Sequence, residues 1–316
     1  MIKRKSIIIS LESYKLKKAE AELIVTKKPW GVILFKRNIL NISQLKELTS
    51  QIKFLMRDPK YPILIDEEGG KVSRLSKIID TSNYSQYFFG NIYKKNSKSG
   101  AQAYEEYLYF VSQLLKETGI NINTIPVLDV LKNNAHPIIG NRSFSSNLNT
   151  INDLKKICIN VLNKYKIGTV IKHIPGHGRS LNDTHKKVSI IHASLNSLMK
   201  NDFKVFRNTK AKFAMTAHII YKKIDPLFTA THSKIIINNI IRRKIGFKGI
   251  LISDDISMKA LSKNLVYNAT KALSSGCNLV LYCRGNTKES SALLNKIKDI
   301  DNYTMKKTSE FYKFLG

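Results

Sequence analysis

The chain is poor in several things, and each shortage narrows what it can be. Its 316 residues include three cysteines, Cys158, Cys277 and Cys283. The number is odd and no CxxC pair occurs, so a disulfide framework is not expected and a reducing compartment fits better. Cys277 and Cys283 lie in or beside an apolar run and read as small core residues. No run reaches the roughly 18 apolar residues of a membrane span. The N-terminal MIKRKSIIISLESYKLKK starts like a signal peptide, but Glu12 and Lys15 follow Ile7, Ile8 and Ile9 too soon for its apolar region. A soluble, cytoplasmic protein with no membrane partner is the expectation. No GxGxxG follows an early strand-like run, which argues against a dinucleotide-binding sheet.

Acidic side chains are also scarce: 23 Asp and Glu face 53 Lys and Arg, for a formal net charge of +30. Such an excess can mark a nucleic-acid binder. Here the basic residues are spread from Lys15 to Lys306 and form no single stripe, and Lys, Asn, Ile and Tyr, all with A/T-rich codons, are abundant together. Compositional drift explains this better than a nucleic-acid partner.

What is present is a repeating alternation. Short β-branched apolar runs occur at Ile7–Ser10, Val32–Phe35, Ile63–Asp66, Ile122–Val127, Thr169–His173, Phe213–Ala217, Ile250–Asp254 and Leu279–Cys283. Amphipathic stretches lie between them, as at Ser43–Met56, Gln102–Thr118 and Thr150–Tyr165. Strands alternating with helices imply βαβ units and a parallel sheet. About eight such units predict one (β/α)8 barrel of the TIM type, a single catalytic domain over residues 1–316. Several runs end at or beside a polar residue: Asp66, Lys172 and His173, His218, Asp254. In a barrel these strand ends converge on one face, which carries the chemistry.

Four segments hold the candidate groups. In KHIPGHG (172–178), followed by Asp183-Thr184-His185, Gly176 and Gly178 permit a sharply turned or moving loop. Asp183 and His185, two apart, face the same side of an extended loop, so the carboxylate can hold one ring nitrogen while the other exchanges a proton. A solvated turn is the bland alternative. In ILISDDISM (250–258), Asp254 can attack a sugar's anomeric carbon or bind a metal. Asp255 reads better as an N-cap for a helix starting near Ile256. In IDEEGGKVSR (65–74), Asp66 can accept from sugar hydroxyls, Arg74 can reach the same place, and the glycine pair allows a tight βα turn; a surface charge cluster is the alternative. In GNRSF (140–144), Arg142 offers a planar donor fork.

Together these segments resemble glycoside hydrolase family 3, and within it the NagZ-type bacterial β-N-acetylglucosaminidases. IDEEGGKVSR, IPVLD, GNRSF, KHIPGHG, DTH, MTAH, GFKG and SDDISM occur in the family's order over about residues 30 to 285. The resemblance implies that Asp254 is the nucleophile of a glycosyl-enzyme ester and that His185, tuned by Asp183, is the acid/base. It implies Asp66, Arg74, Arg142, Lys172 and His173 as the sugar-binding set, with no cofactor and no metal. The implied substrate is a muropeptide-derived saccharide, N-acetylglucosamine β-1,4-linked to anhydro-N-acetylmuramic acid, and a monomer is expected. Glu67 departs from the usual Gln, Thr184 from the usual Ser and Lys71 from a common Arg; Glu67 is expected to add a charge near the pocket. A mobile GHG loop would carry His185 towards bound substrate.

Three other readings stay open at this point. A zinc hydrolase would use His173, His177, His185, His218 and Asp254, although the HxxxH spacing sits on a Gly/Pro loop rather than a helix; survival of activity under chelation dismisses it. A basic nucleic-acid or wall-polymer binder would show salt-sensitive binding without sugar release. A family relative with β-glucosidase preference would favour the glucoside over the N-acetylglucosaminide.

Overall fold

The computed structural model describes residues 3–132, 139–184, 186–261 and 263–316. In chain order its strands are β1 (Lys5–Ser10), β2 (Pro29–Leu34), β3 (Ile63–Ile65), β4 (Ile122–Asn123), β5 (Gly168–Ile174), β6 (Ser189–Ile191), β7 (Phe213–Thr216), β8 (Ile219–Tyr221), β9 (Ile250–Asp255) and β10 (Leu279–Tyr282). Eight of them close into a parallel barrel in the order β1-β10-β9-β7-β5-β4-β3-β2, ringed by helices, while β6 and β8 form a separate two-stranded parallel sheet. All eight apolar runs of the sequence become barrel strands. The fold is a (β/α)8 barrel of the TIM type.

Period-2 alternation explains both the core and the site. Ile8, Leu64, Ile122, Val170, Phe213, Ile250, Ile252 and Leu279 point inwards and pack with Trp30 and Phe311. Their neighbours Ile7, Ile9, Ile63, Ile65, Ile171, Leu251 and Val280 point outwards against the helices. Continuing the inward parity along each strand leads to Phe35, Asp66, Thr124, Lys172, Met215, Asp254, Leu281 and Cys283, all of which line one cavity at the C-terminal mouth. The lower end is closed by the C-terminal helix Asn302–Leu315. There Phe311 stacks edge-on with Phe213, and the Trp30 indole donates to the Thr308 hydroxyl at 2.9 Å.

The sequence-derived boundaries shift in places. The helices read at Ser43–Met56, Gln102–Thr118 and Thr150–Tyr165 run over Ile42–Leu55, Ser97–Glu117 and Leu148–Lys164, capped by the side chains of Asn41, Asn96 and Asn147. The run Ile122–Val127 yields only two ladder residues, Ile122 and Asn123. Val127 returns as an isolated bridge to Lys172. Gly69 and Gly70 do make a tight turn, both at positive φ (77° and 62°), but no helix follows until Gln86–Lys95. Residues 66–85 are therefore a long excursion over the mouth rather than a short βα turn. All three cysteines are free. Of the two read as core residues, Cys277 is buried, as is Cys158, whereas Cys283 departs from that reading: it is half-buried and lines the mouth cavity, because it continues the inward row of β10. Among the described residues, no helix is long and apolar enough to cross a membrane.

Candidate active site

The cavity has a volume of about 500 Å³. Its polar wall is a network of opposite charges. Asp66 accepts from Arg74 (2.7 Å), from Lys172 Nζ (2.5 Å) and from the Thr124 hydroxyl (2.5 Å). Burial would raise its carboxyl, but Lys172 and Arg74 outweigh burial and hold it well below the usual range. Lys172 Nζ also lies 2.5 Å from Glu68 Oε1, and Glu68 takes both Arg142 Nε (2.7 Å) and Nη2 (2.8 Å), the two-pronged geometry that suits a guanidinium. Burial opposes the Glu68 charge as well, yet Arg142 and Lys172 hold that carboxyl low. Arg142 rides on a short loop that Gln86 pins from behind, since Gln86 Nε2 donates to the carbonyls of Val127 and Arg142 (2.8 Å each).

Lys172 and His173 are consecutive in β5, yet both line the cavity. The ladder to β7 slips between Lys172 and Ile174, which breaks strict alternation there and turns both side chains to the mouth. His173 is aimed by Asp129, which is fully buried and accepts from His173 Nδ1 at 2.7 Å and from the His177 amide at 2.6 Å. Burial alone would raise the Asp129 carboxyl; its histidine neighbours hold it down instead. With Nδ1 committed, His173 Nε2 faces Arg142 Nη2 at 3.5 Å and Asp254 Oδ2 at 4.0 Å.

Asp254 is mostly buried and accepts the Asp255 amide on Oδ1 at 2.8 Å. Asp255 turns its carboxylate back on its own loop, accepting the Ser257 hydroxyl (2.6 Å) and the amides of Ser257 (3.1 Å) and Cys283 (3.2 Å). This is a local side-chain turn and not the helix cap expected from sequence; the next helix, Leu265–Ser275, begins later under Asn264. Burial raises the Asp255 carboxyl.

The sequence-derived set is thus brought together at Asp66, Arg74, Arg142, Lys172, His173 and Asp254, all in the cavity wall. Asp183 is half-buried on the following loop, and among the described residues Thr184 rather than Asp183 reaches the wall. His185 lies outside the described residues. Glu68 and Asp129 were missed. Their signal was present, Glu68 beside Asp66 and Asp129 at the end of IPVLD, but only spatial neighbours show that one holds Arg142 and the other His173. Glu67 corrects an expectation: it is turned away from the cavity, where it accepts the amides of Arg74 (2.6 Å) and Leu75 (2.9 Å) and the Thr81 hydroxyl (2.9 Å). It shapes the Arg74 loop, and burial raises its carboxyl.

The GHG segment is not the loose loop expected from its glycines. Besides the His177 amide bond, the Gly176 carbonyl accepts the Tyr221 hydroxyl. Gly178 lies so close to the Val130 carbonyl that a Cβ would come within 2.0 Å of it. His218, one of the histidines of the zinc reading, has both ring nitrogens engaged, Nδ1 with the Thr231 hydroxyl (2.7 Å) and Nε2 with the Asp255 carbonyl (3.0 Å). Among the described residues no three His, Cys, Asp or Glu converge as a metal site.

A family profile described as "Glycosyl hydrolase family 3 N terminal domain" matches residues 2–310. The chain is 32% identical over 282 residues to a beta-hexosaminidase of Hydrogenovibrio crunogenus, covering 88% of this chain and 78% of that one. It is 33% identical over 288 residues to a beta-hexosaminidase of Neisseria meningitidis, covering 89% and 79%. Its structure resembles that of NagZ from Neisseria gonorrhoeae, solved in complex with N-trifluoroacetyl-D-glucosamine, with a TM-score of 0.86 at 28% identity over 99% of this chain and 90% of that one. The chain belongs to glycosyl hydrolase family 3, and is a glycoside hydrolase of the β-N-acetylhexosaminidase kind.

Proposed function

We propose that the protein is a retaining exo-β-N-acetylglucosaminidase that releases terminal β-1,4-linked N-acetylglucosamine from muropeptide fragments in peptidoglycan recycling. In this reading it works in the cytoplasm as a monomer, with one catalytic barrel domain over residues 1–316. The observation that carries it is the placement of Asp254. Its carboxylate stands in the wall of a sugar-sized cavity together with a fixed set of donors and acceptors made by Asp66, Arg74, Arg142 and Lys172, the last two held by the buried Glu68. Those groups are already paired and oriented, so they can bind hydroxyls and an acetamido carbonyl with little reorganisation. The gonococcal relative solved with an N-acylated glucosamine supports the same sugar class.

Retention takes two displacements. Asp254 attacks the anomeric carbon while protonated His185 gives its proton to the leaving oxygen. Neutral His185 then takes a proton from water, which attacks the glycosyl ester and frees Asp254. An unperturbed imidazole titrates near pH 6.5 and so serves both steps at neutral pH. Asp183 stabilises the imidazolium form.

The test compares 4-nitrophenyl N-acetyl-β-glucosaminide with the β-glucoside and with a β-1,4 disaccharide that has a poor leaving group. The N-acetylglucosaminide is expected to be the better aryl substrate, Asp254→Ala is expected to abolish turnover, and His185→Gly is expected to lose far more on the disaccharide than on the aryl glycoside. Preference for the glucoside overturns the sugar assignment. Near-normal turnover by Asp254→Ala removes the nucleophile, and equal losses in His185→Gly remove the acid.

A further inference from the structure

We propose that Phe35 is a positioning residue of the hydrolase reaction: the face of its ring fixes the plane of the Arg74 guanidinium in the sugar cavity. The proposal rests on the sugar-binding role given to Arg74 above.

The two arginines of the cavity wall are held differently. Arg142 is gripped at two nitrogens by Glu68, which fixes its plane. Arg74 has no such grip. Its main chain is fixed, since its amide donates to Glu67 at 2.6 Å. Among the described residues its guanidinium makes one hydrogen bond, from Nη2 to Asp66 Oδ2 at 2.7 Å. The other Asp66 oxygen already takes Lys172 and Thr124 (2.5 Å each), so a two-pronged pair is closed to Arg74. Arg74 Nε is buried and has no hydrogen-bond partner among the described residues. Glu68 attracts the charge as well, but attraction between charges depends on distance and does not choose a plane. A flat group tied at one nitrogen can still swivel about that bond.

Phe35 supplies the second constraint. It follows directly on β2, and its ring lines the cavity. Arg74 Cζ stands over that ring, 5.2 Å from its centre. A guanidinium within about 6 Å of an aromatic ring is drawn to the ring's negative face and stacks on it. The plane of Arg74 is then set by the ring, and its position by Asp66.

The ring is itself braced. Arg37 Cζ lies over it at 5.0 Å. Arg37 is tied to the C-terminal ends of β1 and β10: its Nε donates to the Leu11 carbonyl (2.9 Å), and its Nη2 to the Ser10 hydroxyl and the Cys283 carbonyl (2.6 Å each). The Phe35 amide donates to Asn38 Oδ1 at 2.9 Å, and the buried Asn38 donates to the carbonyls of Leu11 (3.0 Å) and Ser13 (2.8 Å). A fixed corner of the barrel top thus carries the ring, and the ring carries Arg74. Because both guanidinium groups share one ring, its negative charge density also offsets part of their mutual repulsion.

A sugar hydroxyl is recognised by the direction of an N–H as well as by its distance. With its plane set before the sugar arrives, Arg74 leaves less ordering for binding to supply.

The experiment uses the full chain with Phe35→Leu, Arg74→Met, the double variant, and phenylalanines carrying one, two or three ring fluorines at position 35. Leucine keeps an apolar wall without a ring. Fluorination keeps the ring and drains its negative face step by step. Phe35→Leu is expected to lose about 10-fold in inhibition by free N-acetylglucosamine and about 10-fold in kcat/KM on 4-nitrophenyl N-acetyl-β-glucosaminide, almost all of it in KM, because Arg74 holds the sugar in ground and transition states alike. The fluorinated rings are expected to lose in order of their fluorine count. With Arg74→Met in place, losing or fluorinating the ring is expected to cost little more. No order along the fluorine series, a loss carried by kcat with KM unchanged, or a full loss in the Arg74→Met background overturns the proposal; the last outcome means that the ring touches the sugar itself. If Arg74→Met does not fold, the fluorine series decides alone. The thermal midpoint of the sugar-free protein then falls in step with inhibition if the ring holds the arginine, and an unmoved midpoint overturns the proposal. If Arg74→Met folds and leaves inhibition unchanged, the sugar-binding role falls and this proposal falls with it; if Arg74→Met weakens inhibition and Phe35→Leu does not, only the positioning role falls.

Discussion

Replacing Asp129 separates the support of the site from the site itself. This carboxylate touches no solvent and takes two short hydrogen bonds, from His173 Nδ1 (2.7 Å) and the His177 amide (2.6 Å), with the His173 amide at longer range (3.3 Å). In Asp129→Ala both short donors are orphaned where water does not reach. At about 1–3 kcal/mol for each orphaned buried donor, the cost comes to about 2–6 kcal/mol, a large share of a typical net stability of about 5–15 kcal/mol. Asp129→Asn keeps one oxygen. If that oxygen faces the His177 amide, the new NH2 faces His173 Nδ1 and forces the proton onto Nε2, which then points a donor at Arg142. The expected result is a smaller stability loss, about 1–2 kcal/mol, with a raised KM for the N-acetylglucosaminide. Urea unfolding at pH 7 and initial-rate kinetics measure the two effects. The pH dependence has a definite sign. The carboxyl is held below its ordinary value despite burial, so its contribution is complete above the unfolded value of about 4 and fades as pH falls through the lower folded value. The acid limb of the stability curve is therefore expected to flatten in Asp129→Asn. An Asn variant matching wild type in stability and KM, or an Ala variant costing under about 1 kcal/mol, refutes the reasoning.

Two further outcomes follow from the neighbouring carboxylates. Burial raises Glu67, so its stabilising contribution is present below the unfolded value and lost as pH rises through the folded value. Glu67→Gln can keep the amide bonds of Arg74 and Leu75 on its oxygen and donate to Thr81, so it is expected to melt higher than wild type at pH 7–8 with a smaller advantage near pH 4; a pH series of thermal midpoints with no crossover trend counts against this. Glu68→Ala leaves Arg142 buried without its carboxylate and takes one of two anions from Lys172. A loss of about 3–5 kcal/mol in urea unfolding is expected, and a loss below about 1 kcal/mol would mean that water or another acceptor replaces it.

Much of the site could be read from the chain alone because strand parity is a sequence property. Once Ile250 and Ile252 face inwards, Asp254 must as well; the same step from Leu64 gives Asp66, and from Val170 gives Lys172. His173 breaks that parity, and no pattern in the sequence marks the ladder slip that turns it to the mouth. Glu68 stayed hidden for a related reason. It lies outside a strand, and its importance comes from Arg142, which is 74 positions away. The stiffness of GHG was misread because glycine permits motion but also permits close packing, and only the Val130 carbonyl behind Gly178 decides between the two. Asp255 was misread as a helix cap because a side chain that accepts an amide two residues on looks the same in sequence whether or not a helix follows.

The sequence by itself determined the eight strands, their inward faces and the types of polar group at their ends, since hydrophobic alternation and chain-local turn chemistry act between near neighbours. Which carboxylate holds which cation was decided only by the tertiary structure. Barrel closure sets Glu68 beside Arg142 and Asp66 beside Lys172 at hydrogen-bond distance across separations of 74 and 106 residues, and ionic preference is settled by burial and distance rather than by order along the chain.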